Sequence, residues 1–302
     1  MKALKRKTVT AFFVALAIFT PMAALSACET SEESNSATAS ESVFDSTDSE
    51  ASASESASTS ANSSSSANSS SEKPTTSETP TVPETPTEPI KTYAQYIRCT
   101  GDSVNIRAGA GTDYAVLGSA EKGTMYAIIG KTGSWYKTYY RGKTAYISAT
   151  YASVLTLEKS EDQDVENVLT EGYKLIGVPY VYGAVRLHDG NGKLLSGFSA
   201  QKFDCSSLVQ YVFYKGAGKL LQVNTRTQVK QGKYVKPSEL QRGDCIFFTN
   251  EERQYNTGIE RVGHVAIYLG NDYILHTASD YARIEKMSAK RWNFYIEARR
   301  FL

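Results

Sequence analysis

"GHVAIYLGNDYILHTAS", residues 263–279, decides how the second half of this chain folds. The runs "HVAIYLG" from His264 and "YILHTAS" from Tyr273 are rich in β-branched and aromatic residues, and "GND" at 270–272 has the chemistry of a tight turn. The stretch reads as an antiparallel hairpin with His264 opening its first strand and His276 on the next. On adjacent strands the two rings become neighbours, one able to act as a base and the other to orient it. The chain contains 3 histidines in all, and the remaining one, His188 in the Gly-rich polar loop "RLHDGNGK", reads as a surface residue.

A base needs a nucleophile, and "KFDCSSLVQYVF" at 202–213 supplies a candidate. Leu208, Val209, Val212 and Phe213 follow Cys205 at helical spacing, which places the cysteine at a helix N-terminus. Unpaired backbone N–H groups there favour a thiolate over a thiol. Upstream, "DVENVLTEGYKLIG" reads as an amphipathic helix ending at Gly177. Downstream, "CIFFT" from Cys245 and the terminal "NFYIEARRFL" complete a set of four strands. Residues 161–302 are long enough for one compact domain with its own core.

The segment 93–156 has a different texture: "SVNIRAG", "AVLGSA", "TMYAIIG", "WYKTYYRG" and "KTAYIS" are short strands broken by glycine, the pattern of a small all-β barrel. Trp135 reads as part of that barrel's core. Residues 28–90 are mostly Ser, Thr, Ala, Glu and Pro, a composition that cannot build a core and reads as a disordered linker. Residues 1–27 have a basic start, an apolar run and a small-residue end, the layout of an export signal.

Charge follows the same divisions. Residues 29–90 carry twelve Asp or Glu and one Lys, and the signal segment carries four Lys or Arg; with the whole chain at +1, residues 91–302 stand at +8. A basic exported module is drawn to anionic wall polymers. Nothing carries an aromatic-basic nucleic-acid signature. No CxxC accompanies the Cys and His residues, so a metal site is not expected, nor is any cofactor. Cys99 and Cys245 read as packing residues, with a disulfide between them the alternative.

Several motifs together resemble a known family. "PYVYGA", "FDCSSLV", "RGDCIFF" and the opening hairpin are similar, in order, to the motifs of the NlpC family of cell-wall cysteine peptidases. The barrel resembles the bacterial SH3-like wall-binding domain through Asn105, Arg107, Gly109, Gly123, Trp135 and Tyr136. "LSAC" at 25–28 resembles a lipobox, with Cys28 acylated. The resemblance implies a papain-like α+β domain at 161–302 with Cys205 as nucleophile, His264 as base and His276 as the orienting third member. It implies that Tyr180 shapes the oxyanion environment, and that Asp204 and Ser206 contact the free amine of the substrate's first residue. The implied protein is a lipid-anchored, extracytoplasmic hydrolase facing the wall, with peptidoglycan stem peptides and wall polymers as partners. It would cut between γ-D-glutamate and a diamino acid. The alternatives are an N-acetylmuramoyl-L-alanine amidase and a catalytically inactive wall-binding lipoprotein. The chain departs from the family's pattern at Ala184 and in two insertions, "VRLHDGNGKLLSGFSAQK" and "NEERQYNTGIER", both expected to border the site.

Overall fold

The computed structural model describes residues 90–278 and 280–302; the signal segment, Cys28 and the linker lie outside the described residues. The first eight strands form the barrel: β1 (Tyr93–Cys99), β2 (Val104–Arg107), β3 (Val116–Ala120), β4 (Met125–Ala127), β5 (Gly130–Thr132), β6 (Trp135–Tyr140), β7 (Lys143–Ser148) and β8 (Ala152–Glu158). They pair antiparallel in two sheets, β4-β1-β8 and β3-β2-β7-β6-β5. Alternation along β2 and β7 buries Ile106, Ala145 and Ile147, and Ile97 and Met125 are also close to fully buried. Trp135 is only partly buried at the start of β6 and lies outside this core. Tyr96 and Tyr126 of the other sheet are close to fully buried.

Two helices follow in the second domain, α1 (Gln163–Lys174) and α2 (Cys205–Ala217), then the one-turn α3 (Thr225–Gln228). The sheet comprises β9 (Lys233–Val235), β10 (Cys245–Phe248), β11 (His264–Gly270), β12 (Tyr273–Ala278), β13 (Tyr281–Lys286) and β14 (Tyr295–Arg300), with the short α4 (Ala289–Asn293) before the last. Its order is β13-β12-β11-β10-β14-β9, antiparallel throughout. One face packs under α1 and α2 through Val265, Ile267, Leu275 and Phe247, and the other buries Ile246, Phe248, Ala266 and Ile274. Gly216 lets α2 approach α1, since a Cβ there would lie 2.5 Å from the Val168 backbone. Cys99, Cys205 and Cys245 are all free and buried, so the disulfide alternative is not realised.

Asn271 and Asp272 take positive φ, 50° and 66°, the geometry of a two-residue turn that matches strand twist. The β11–β12 register then slips: Gly270 faces Tyr273, but Tyr268 faces Ile274 and Ile267 faces Leu275, with Leu269 the extra residue. The Leu269 carbonyl of this bulge accepts from Arg242 Nη1 at 3.1 Å. Arg242 spends its other donors on Glu166 (2.6 and 3.1 Å), Tyr173 (2.9 Å) and the barrel's Tyr96 (3.0 Å). Tyr96 and Tyr173 also share a hydrogen bond of 2.6 Å. The barrel is further fixed by Arg141, whose Nε donates to Gly177 O at 2.8 Å.

Candidate active site

Cys205 begins α2 because Asp204 caps it. The Asp204 carboxylate accepts from Ser207 N at 2.8 Å, and the Ser207 hydroxyl accepts from Asp204 N at 2.9 Å, a reciprocal capping box. The four apolar residues expected to anchor the helix are all close to fully buried, and Gly218 ends it with φ 64°. The cysteine thus sits on a rigid element whose first turn faces a cavity of ≈ 600 Å³ lined also by Tyr180, Tyr182, Arg186 and Glu252. A second cavity, ≈ 570 Å³, is lined by His264, Lys290 and Arg291. Tyr180, Asn250, Glu252 and Gly263 line both, so the two are arms of one cleft. Arg186 comes from the first insertion and Asn250, Glu252 and Arg253 from the second, so both insertions border the site, as expected. No barrel residue lines either arm.

The backbone N–H groups of Val265 and Ser206 lie near the Cys205 thiol and favour its thiolate, which places it close to the peptide joining His264 to Val265. Burial nevertheless pushes the thiol up to about 12, with the Asp204 charge adding to the effect and the two N–H groups and Arg186 opposing it. The helix N-terminus expected to favour thiolate is present, but desolvation outweighs it in the unliganded protein. His264 is held well below the usual histidine range, chiefly by burial and then by His276 and Arg291. Thiol and imidazole therefore rest neutral together.

The hairpin brings His264 and His276 together: Nε2 of the first lies 2.9 Å from Nδ1 of the second, ring planes 82° apart. His276 is 1 % exposed. Beyond it stands Glu285, a residue absent from the sequence reading, with Oε1 3.2 Å from His276 Nε2 and 2.7 Å from Arg291. The first separation suits an ion pair but is not aligned as a hydrogen bond. Burial acts to raise the Glu285 carboxyl, yet His276 and Arg291 hold it down at about 2. Glu285 lies on β13, opposite Ile274 and two residues from Arg283, the partner of His276. The alternation of "YARIEK" was the signal that would have found it.

Tyr180 is positioned by backbone bonds on both sides, its N–H to Asp280 O and the following N–H of Val181 to Phe203 O. Burial raises its phenol to about 12, with Cys205 and Asp204 adding, so it stays a donor at the cleft. Asp204 and Ser206 flank Cys205 as the sequence requires, but both are engaged by Arg186 at 2.8 and 3.2 Å. His188 is not a surface residue: it is 0 % exposed. Its loop folds onto α2, where Gln210 donates to its carbonyl at 3.1 Å and its ring rests on Tyr214. Among the described residues no cluster of His, Cys, Asp or Glu is arranged to hold a metal.

Residues 177–300 match the NlpC/P60 family, and residues 102–153 match the bacterial SH3 domain. The gamma-DL-glutamyl hydrolase of Bacillus subtilis is 32% identical over 151 residues, which are 50% of this chain and 32% of that protein. Peptidoglycan endopeptidase RipB of Mycobacterium tuberculosis is 34% identical over 122 residues, 40% of this chain and 46% of its own. The chain thus spans less than half the length of these relatives. A solved NLP/P60 family structure from Staphylococcus aureus, described as similar to lipoprotein, is 30% identical with a TM-score of 0.38, covering 51% of this chain and 46% of its own. The cleft that joins Cys205 to the paired histidines accordingly lies in an NlpC/P60 family domain, and a bacterial SH3 domain precedes it.

Proposed function

We propose that this protein hydrolyses a stem-peptide bond of peptidoglycan, between γ-D-glutamate and the following diamino acid, with Cys205 as nucleophile. The observation that carries the reading is the line of groups running from the Cys205 helix through His264 and His276 to Glu285. With a carboxylate beside Nε2, neutral His276 keeps its proton on that atom. Its Nδ1 then accepts from Nε2–H of His264, which leaves His264 Nδ1 bare to take the thiol proton. Thiolate attack on the scissile carbonyl gives an acyl-enzyme, the His264 imidazolium protonates the leaving amine, and water attacks the thioester with His264 again as base. Tyr180 donates to the developing oxyanion. The wall-directed names of the relatives, the leader and the acidic linker support an extracytoplasmic protein tethered through acylated Cys28.

Digestion of defined muropeptides, read by mass spectrometry, tests this. The expected products are released at the γ-D-glutamyl bond by the wild-type protein and not by folded Cys205→Ala. Release of intact stem from muramic acid would instead assign an amidase. Substantial hydrolysis by Cys205→Ala would sink the mechanism.

A further inference from the structure

We propose that Arg186 closes the cysteine end of the cleft to a free ammonium group, so that the protein acts on stem peptides whose first residue is N-acylated, as it is while the stem remains attached to its sugar. The inference deepens the hydrolase reading above and rests on it. Asp204 and Ser206, on either side of Cys205, form an acceptor pair at the cavity wall, the kind of place where an ammonium would bind. Here those acceptors are filled. Asp204 Oδ2 accepts from Arg186 Nη2 at 2.8 Å, and Oδ1 accepts from Ser207 N at 2.8 Å and the Ser206 hydroxyl at 3.0 Å. The same Nη2 reaches the Ser206 oxygen at 3.2 Å.

The guanidinium is not a loose surface group. Nε donates to Val223 O at 2.6 Å and Nη1 to Ala184 O at 2.8 Å, and the Arg186 and Asp204 side chains are 19 % and 6 % exposed. Displacing it would strand a partly buried charge, while an arriving ammonium would meet a like charge at close range. The other charges of this arm do not restore an amine site. Arg226 and Arg253 line it and share Glu260, at 3.6 and 3.3 Å. Glu252 is exposed to water, which screens it. An acylated first residue carries no charge, and its carbonyl finds the one Nη1 N–H that Arg186 has not committed. Tyr182, 84 % exposed on the same wall, offers the acyl group an aromatic face.

The test uses two synthetic stem tetrapeptides that differ only in an N-acetyl group on the first residue, with the mature full-length protein. The acetylated peptide is expected to have at least about tenfold higher kcat/KM, the scale of a like charge near a partly buried guanidinium. Arg186→Gln should narrow that ratio, and Glu252→Gln should leave it in place. Equal cleavage, or preference for the free amine, by the wild-type protein overturns the proposal whether or not Arg186→Gln folds. If neither peptide is cut, the hydrolase reading fails, and equilibrium binding to Cys205→Ala decides the subsite separately. Tighter binding of the acetylated peptide upholds the inference; equal, inverted or absent binding overturns it.

Discussion

Arg242→Ala should be among the most destabilising single substitutions in the described residues. The guanidinium has five N–H donors, and every one has a partner: Glu166 takes two, and Tyr96, Tyr173 and the Leu269 carbonyl take one each. The Arg242 side chain is 5 % exposed and that of Glu166 13 %. Truncation leaves a nearly buried carboxylate without its cation and a bulge carbonyl without its donor. Breaking a buried pair in this way costs about 3–5 kcal/mol, against a total stability of about 5–15 kcal/mol for a domain. At about 2–4 °C per kcal/mol for a chain of 150–250 residues, the melting temperature should fall by roughly 6–20 °C. Urea denaturation followed by tyrosine and tryptophan fluorescence, with far-ultraviolet circular dichroism as second probe, measures it. Because Tyr96 belongs to the barrel, wild-type barrel and second domain should unfold in one transition by both probes. A loss below about 1 kcal/mol, or two separate wild-type transitions, would refute the view that this network welds the domains.

Glu285→Gln should lower kcat more than it raises KM, because it frees the His276 tautomer without touching substrate; an unchanged kcat would remove Glu285 from the catalytic line. The same substitution bears on acid stability: the folded carboxyl titrates at about 2, below its ordinary 4.5, so its contribution is present above 4.5 and lost as pH falls through 2. The variant should therefore show a flatter acid limb in that window when unfolding is followed against pH. His264→Ala should slow alkylation of Cys205 by iodoacetamide near neutral pH, since the buried thiol has no other base; equal rates would show a thiolate independent of His264. Deleting residues 93–158 should depress hydrolysis of small soluble stem peptides as well as binding to insoluble wall, and a truncated protein with full activity on small peptides would leave the barrel a capture module alone. Cys28→Ala should move the protein out of the detergent phase, and unchanged partitioning of the mature variant would reject the lipid anchor.

The elements written in local chemistry were legible in the sequence. The α2 start at Cys205, with its cap and apolar side, and the hairpin with its Gly-Asn-Asp turn depend on residues within a few positions of each other. What escaped was decided by distance or by weak pattern. The strand β13 alternates, but "YARIEK" carries charges at three of its six positions and reads as solvated surface, so Glu285 went unseen. The outer barrel strands β1 and β8 were also missed, because "YAQYIRC" and "ASVLTLE" become strands by pairing with each other across more than 50 residues. His188 looked exposed because its own loop is polar; its burial comes from Gln210 and Tyr214 on a helix well downstream. The occupation of Asp204 by Arg186 is likewise a contact across 18 positions of sequence, invisible to any motif centred on the cysteine.

The extra residue at Leu269 makes the length of one hairpin a chemical variable. Continued from Gly270 and Tyr273 without a slip, the ladder would set His276 against Ile267, an odd number of residues from His264, and the two rings would point to opposite sides of the sheet. The slip sets His276 level with Ala266 instead, an even number away, and the rings meet. Parity therefore governs what this stretch tolerates: pairing the bulged residue shifts the register by one and inverts one strand's faces, while leaving it out of the ladder preserves them. Drawing Leu269 into the ladder would separate the histidines with both still present in the chain. Arg242 holds the carbonyl of that residue and is itself bonded to the barrel's Tyr96, so the count is kept within a network that reaches the barrel.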